Sequence, residues 1–135
     1  MSGQRHMSAQ EYREVVAGQC SEREFTTWLV QLADSFGWWI AHFRPARTEV
    51  GWRTPMQGDA GYPDITLARS DRGLIIAELK SSRGRLSPRQ KRWLAELSGM
   101  EPDWWKPGRR VDLGGLVVAC WTPANRAEIT ELLSS

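Results

Sequence analysis

Asp64, Glu78 and Lys80 are the residues of this chain whose types and spacing could do chemistry. Two apolar, β-branched runs, Asp64–Arg69 (DITLAR) and Leu74–Leu79 (LIIAEL), flank the short segment Ser70-Asp71-Arg72-Gly73. Such runs around a glycine-containing turn predict a β-hairpin. With the turn centred on Asp71, Asp64 falls opposite Glu78. Directly opposite residues hold their Cβ atoms about 4.5–5.5 Å apart, so two carboxylates there repel unless something offsets them, and a divalent cation is the natural partner. Lys80, two residues past Glu78, points to the same face of the strand. A register slip of one residue would set Leu79 opposite Asp64 and undo the arrangement.

Two carboxylates, a backbone carbonyl and water suit Mg²⁺ or Mn²⁺, which take oxygen ligands in near-octahedral sites. Such an ion polarises a phosphate oxygen, holds a nucleophilic water and neutralises developing charge. Lys80 could orient that water or hold the phosphate. Taken alone, this spacing also fits a surface hairpin bearing ordinary charges. Two further features narrow it: Pro63 directly precedes Asp64, and an apolar run directly precedes Glu78, completing a PD-(D/E)xK pattern. The longer string G-Y-P-D…I-A-E-L-K-S…G-R-L-S-P-R-Q…W-L-A-E-L resembles the VRR-NUC branch of the PD-(D/E)xK nuclease superfamily, its phage-borne stand-alone members most of all, and is similar to archaeal Holliday-junction resolvases. The resemblance covers roughly residues 21–98, with a weaker echo at the C-terminus.

That resemblance implies an α/β fold with a restriction-endonuclease-like core, a mixed central β-sheet flanked by helices. It implies a Mg²⁺- or Mn²⁺-dependent DNA endonuclease, selective for branched DNA such as Holliday junctions and acting as a homodimer. Asp64 and Glu78 would bind the metal, with the Leu79 carbonyl as a further protein ligand. A first-helix glutamate joins the site in the resolvases, a role that carries to Glu22, with Glu24 as the alternative. A glutamine of related nucleases that reaches the site carries to Gln90. Two other readings stand beside this one: a restriction-like or replication- or packaging-associated nuclease on other DNA, and a catalytically silent DNA-binding module of the same fold. Intact Asp64, Glu78 and Lys80 argue against the silent module.

The elements that must position these residues can be read in turn. Ser21 with Glu24 three residues on forms a capping box, and Phe25, Trp28, Leu29, Leu32 and Phe36 recur at helical spacing up to Gly37. Glu24 therefore has a local task at the cap, whereas Glu22 lies beside the apolar stripe and needs solvent or a charged partner. Trp38–Arg44 reads as a strand beside the hairpin; its His42 is expected to be structural. Pro45–Tyr62 reads as a long loop bordering the site, with Asp59 as an alternative acid. Ser87, Pro88 and Gln90 open a second capped helix that runs to Gly99. Gln90 can thus be both a capping residue and a site residue. Residues 101–110 (EPDWWKPGRR) depart from the family: they are either a surface excursion with packed tryptophans or a substrate or dimer contact. Gly115–Trp121 predicts a buried strand, and Thr122-Pro123 caps a last helix with Ile129, Leu132 and Leu133 as its apolar face.

Composition sets the outer bounds. The 135 residues fit a single nuclease domain at 21–135, preceded by a partly disordered or short helical extension at 1–20, with Ala9–Ala17 as the helix. The net charge of +2 does not mark a nucleic-acid binder as a whole, so the distribution matters more. Arg83, Arg85, Arg89, Lys91 and Arg92 cluster just after the carboxylates and, with Arg44 and Arg47, are the expected DNA-backbone contacts. Eight tryptophans are expected mainly in the core. Cys20 and Cys120 lack zinc spacing and point to a reducing compartment. With no signal peptide and no apolar run of membrane length, the expected location is cytoplasmic, with no membrane partner.

Overall fold

The two runs form the expected hairpin, in a computed structural model that describes residues 8–43, 46–48, 51–53 and 58–135. Strand β4 (Ile65–Arg69) pairs antiparallel with β5 (Gly73–Leu79), Ile65 opposite Ala77 and Arg69 opposite Gly73. Arg72 N–H donates to the Arg69 carbonyl at 2.9 Å, and Gly73 follows at φ 103°. A tight turn followed by a residue with positive φ is a three-residue hairpin connection that glycine alone adopts without strain. The same glycine lets the next strand approach: a Cβ there would lie 2.3 Å from the Gly115 carbonyl oxygen, which accepts from Leu74 N–H at 2.8 Å. Gly73→Ala is accordingly expected to destabilise the protein by about 3 kcal/mol. A urea midpoint unchanged from wild type would show that the two turns separate freely.

Around the hairpin lie helices α1 (Ala9–Gly18) and α2 (Glu22–Ser35) and strand β1 (Trp39–His42) on the N-terminal side. Helix α3 (Pro88–Ser98), strands β6 (Arg110–Asp112) and β7 (Leu116–Trp121), and helix α4 (Arg126–Ser134) follow it. Five strands make one mixed sheet in the order β1-β4-β5-β7-β6, in which only β5 and β7 run parallel. A parallel neighbour requires a long crossover, and residues 80–115 with α3 supply it.

The alternation of each strand divides the sheet into two faces. Ile65, Leu67, Ile75, Ala77, Leu79, Ala119 and Trp121 are buried in one cluster with Phe25, Leu29 and Ala33 of α2 and Ile129 and Leu133 of α4. On the opposite face Val118 and Cys120 pack with Leu86, with Leu94 of α3 and with Trp105. Each large apolar side chain so buried contributes about 1.5–3 kcal/mol, so the helices on both sides hold β5 and β7 firmly enough to carry an awkward charge between them.

Two parts of the architecture differ from expectation. The stretch taken as one long loop contains a small hairpin, β2 (Ala46–Thr48) paired with β3 (Gly51–Arg53). The segment after α3 contributes an edge strand, β6, where none was expected. Of its tryptophans, Trp105 is fully buried with its Nε1–H donating to Ser98 Oγ at 3.1 Å, which favours the packed surface excursion over a contact surface for that residue. Trp104 is half-buried beneath the Arg109 guanidinium, 4.9 Å from its ring. Helix α1 runs one residue past the predicted end and rests on the 3₁₀ turn Pro123–Asn125. The disordered start expected for residues 1–8 falls, apart from Ser8, outside the described residues. Among the described residues no helix is long and apolar enough to cross a membrane.

Candidate functional site

Hairpin register decides which side chains meet. The pairing of Ile65 with Ala77, extended by one residue, sets Asp64 against Glu78, just before β4 begins. Asp64 is fixed by the partner strand: its Oδ2 accepts from Leu79 N–H at 2.9 Å. Leu79 thus enters the site through its N–H, while its side chain lies in the core. Phe43 N–H donates to the Asp64 carbonyl at 3.0 Å, so β1 continues alongside the pair. His42 falls on the other face of β1, opposite Ile65, away from the two carboxylates.

Glu78 is the anomaly of the sheet. It is only 2% exposed, flanked by Asp64 on one side and by Cys120 of β7 on the other. Gln90 Nε2–H donates to its Oε1 at 3.1 Å, and Lys80 Nζ lies 3.7 Å from the same oxygen. Its other oxygen, Oε2, is buried and accepts no hydrogen bond among the described residues. Burial pushes the Glu78 carboxyl up to about 9, helped by the negative charge of Asp64, by a hydrogen bond to Asp64 that only the protonated form can make, and by Glu22, against the pull of Lys80. The orphaned oxygen and the raised carboxyl have one origin. Two acceptors face each other, and only a proton or a cation between them completes the contact.

Gln90 holds two posts at once. Its Oε1 accepts from Ser87 N–H at 2.9 Å while Ser87 Oγ accepts from Gln90 N–H at 3.2 Å, closing the capping box of α3. Its Nε2 is left for Glu78. The cap therefore orients the amide, and the amide selects which oxygen of Glu78 stays open. Lys80 is confined in turn by the turn after β5, where a Cβ on Gly84 would meet Lys80 Cβ at 3.0 Å.

The two glutamates at the start of α2 separate cleanly. Glu24 turns back to the cap, accepting from Ser21 Oγ–H at 3.1 Å, while its N–H donates to that hydroxyl at 3.0 Å. Glu22 feels the site: its carboxyl is raised by partial burial first and by Asp64 second, and lowered by Lys80. Compared with family models, curated proteins and solved structures, the chain matches none. What it can do must be argued from these side chains.

Asp64, Glu78, Lys80 and Gln90 are brought together at one end of the sheet, and Glu22 at the start of α2 senses the charges of Asp64 and Lys80. Among the described residues no three His, Cys, Asp or Glu side chains converge into a ready cage. The donor set instead fits a hard cation that would keep several waters: two carboxylates, one with an oxygen that has no hydrogen-bond partner among the described residues. Of the expected backbone-binding cations, Arg83, Arg85 and Arg89 are exposed and Lys91 is half-buried near the site. Arg92 is tied to Glu96 at 2.8 Å. Arg44 lies outside the described residues, and Arg47 is described only as a backbone position of β2.

The sequence reading passed over the aromatic row beside the pair. Phe43 stands edge-on to Tyr62 (5.6 Å between centroids) and Tyr62 edge-on to Trp93 (4.9 Å). The available signal was Tyr62 two residues before Asp64 and Trp93 one helical turn after Gln90.

Proposed function

We propose that this chain is a Mg²⁺- or Mn²⁺-dependent DNA endonuclease. The observation that carries the reading is half-buried Asp64 set against buried Glu78, whose Oε2 has no hydrogen-bond partner among the described residues. Asp64 and Glu78 would hold the cation, with the Leu79 carbonyl as a further protein ligand. The chemistry a cation held there would supply is activation of a water and stabilisation of charge on the scissile phosphate. Gln90 keeps Oε1 of Glu78 occupied and so would leave Oε2 for the cation. Lys80 presents its ammonium on the same face, where it orients the attacking water or steadies the phosphate. Glu22, at the start of α2, would add a third negative charge that Asp64 and Lys80 already sense. The exposed Arg83, Arg85 and Arg89 hold the DNA backbone.

The wider assignment to a restriction-endonuclease-like core draws support from element order. Helix α2, strand β1, the β4–β5 hairpin, helix α3 and the parallel strand β7 follow one another as the sequence resemblance implies. Branched DNA as substrate and a homodimer as the working form rest on that resemblance alone.

Incubating the protein with a labelled four-way junction, a linear duplex and a single strand, each in Mg²⁺, Mn²⁺ and EDTA, tests the reading. Metal-dependent incision of the junction supports both chemistry and substrate. Equal cleavage of all three keeps the nuclease and removes junction selectivity. Junction binding without cleavage in either metal favours the silent binding module.

A further inference from the structure

The carboxylate pair does not use the cleft beside it. Among the described residues, Asp59 and Ala60 form one wall and Arg89, Arg92, Trp93 and Glu96 of α3 the other, around about 470 Å³. That volume lies within the range of small-molecule sites. The wall is built, not loose. Trp93 Nε1–H donates to the Asp59 carbonyl at 3.1 Å, and Gly61, at φ 96°, sits so close that a Cβ would be 2.9 Å from the Arg89 backbone.

The cleft also neighbours the carboxylate pair through α3. Gln90, which touches Glu78, lies one turn before Trp93 on α3. The Phe43–Tyr62–Trp93 row starts at the residue bonded to the Asp64 carbonyl and ends in the cleft wall. The charges of the cleft are balanced: two arginines, Arg89 and Arg92, and two acids, Asp59 and Glu96, line it, with Arg92 bonded to Glu96 along α3 at 2.8 Å. A bare polyanion gains little there. A ligand carrying one phosphate and one flat ring gains from both the exposed Arg89 and the indole of Trp93.

Building on the nuclease reading, we propose that this cleft is a nucleotide subsite that takes an unpaired nucleotide flanking the scissile phosphate, its base against Trp93 and its phosphate toward Arg89. A base inside a continuous duplex is already stacked on both faces and enters only at the cost of unstacking and unpairing. The substrate class is therefore DNA with an unstacked base beside the cut: a tail, a gap or a branch point.

The test reads binding, with Ca²⁺ in place of Mg²⁺ to suppress turnover. Fluorescence anisotropy compares a continuous duplex, the same duplex with a single-stranded tail, and the single strand. Wild type is expected to bind the tailed DNA more tightly than the duplex. Trp93→Ala is expected to weaken tailed and single-stranded DNA about tenfold and the continuous duplex less than twofold, with Trp93→Phe retaining most of the affinity. Arg89→Ala, an exposed substitution, is expected to remove most of the tail advantage and serves if Trp93→Ala does not fold. Equal losses on all three DNAs, or no loss, overturn the subsite. A wild type that prefers tailed DNA but cuts nothing in Mg²⁺ or Mn²⁺ counts against the nuclease reading and leaves the subsite standing. Cleavage insensitive to Trp93 and Arg89 does the reverse.

Discussion

Asp64→Asn is expected to lower metal-dependent phosphodiester cleavage by about 10²–10³-fold or more while leaving the fold intact. The asparagine oxygen can still accept from Leu79 N–H, now at 2.9 Å from Asp64 Oδ2. Its amide can donate to Glu78 Oε2, the buried oxygen that has no donor among the described residues. The substitution therefore exchanges the proposed metal-binding pair for a self-satisfied hydrogen bond. Melting at or slightly above the wild-type temperature, combined with loss of cleavage, is the expected pattern. Full activity in Asp64→Asn would remove this carboxylate from the chemistry. Loss of activity accompanied by unfolding would mean that the acid supports the hairpin itself.

The second large effect concerns stability and pH. Below about 4.5 Glu78 is protonated whether the chain is folded or not, and between there and about 9 only the folded protein keeps that proton. The folded state then binds more protons, so stability of the metal-free protein falls as pH rises across this window and levels off above it. Glu22, raised in the same direction, adds to the slope. Divalent metal should reverse the trend, because it displaces the proton of Glu78 and binds more tightly as pH rises. Glu78→Gln supplies a neutral donor toward Asp64 and keeps an acceptor for Gln90. It is expected to flatten the pH slope, to stabilise the metal-free protein by about 1–3 kcal/mol at pH 8, and to abolish both metal stabilisation and cleavage. Melting curves from pH 5 to 9, with and without Mn²⁺, measure all of this. A Glu78→Gln protein less stable than wild type, or one with the same slope, would show that the buried carboxylate is satisfied in another way.

Much of this arrangement was legible because it depends on local chemistry. A symmetrical turn about Asp71 sets the hairpin register, and the Ser87-Pro88-x-Gln90 start sets α3. The double task of Gln90 follows from its place in the cap. Distant contacts were not legible. Glu78 looks like an ordinary strand-end acid until β7 and α3 bury it, and neither lies within a local window around it. Strand β6 reads Arg-Val-Asp, too short and too polar for a period of two to stand out. The hairpin of β2 and β3 is equally brief and lacks an Asn-Gly or Asp-Gly turn. Trp105 sits in a run rich in proline and charge, so only the fold reveals that Ser98 of α3 receives its indole.

The parallel seam between β5 and β7 has a consequence in time. The β4–β5 hairpin closes over three residues and can form in microseconds, whereas β7 must first wait for the crossover of residues 80–115. Asp64 and Glu78 thus meet early, in water, where two charges at about 4 Å cost only about 1 kcal/mol. The heavy penalty arrives when β7 and α3 close over Glu78, late in assembly. An energetic burden incurred after the rate-limiting barrier shortens the lifetime of the native state without slowing its formation. The carboxylate pair is in this sense a clock: without a counter-charge the folded molecule is expected to open sooner, and a divalent cation bound there would be expected to slow that opening as well.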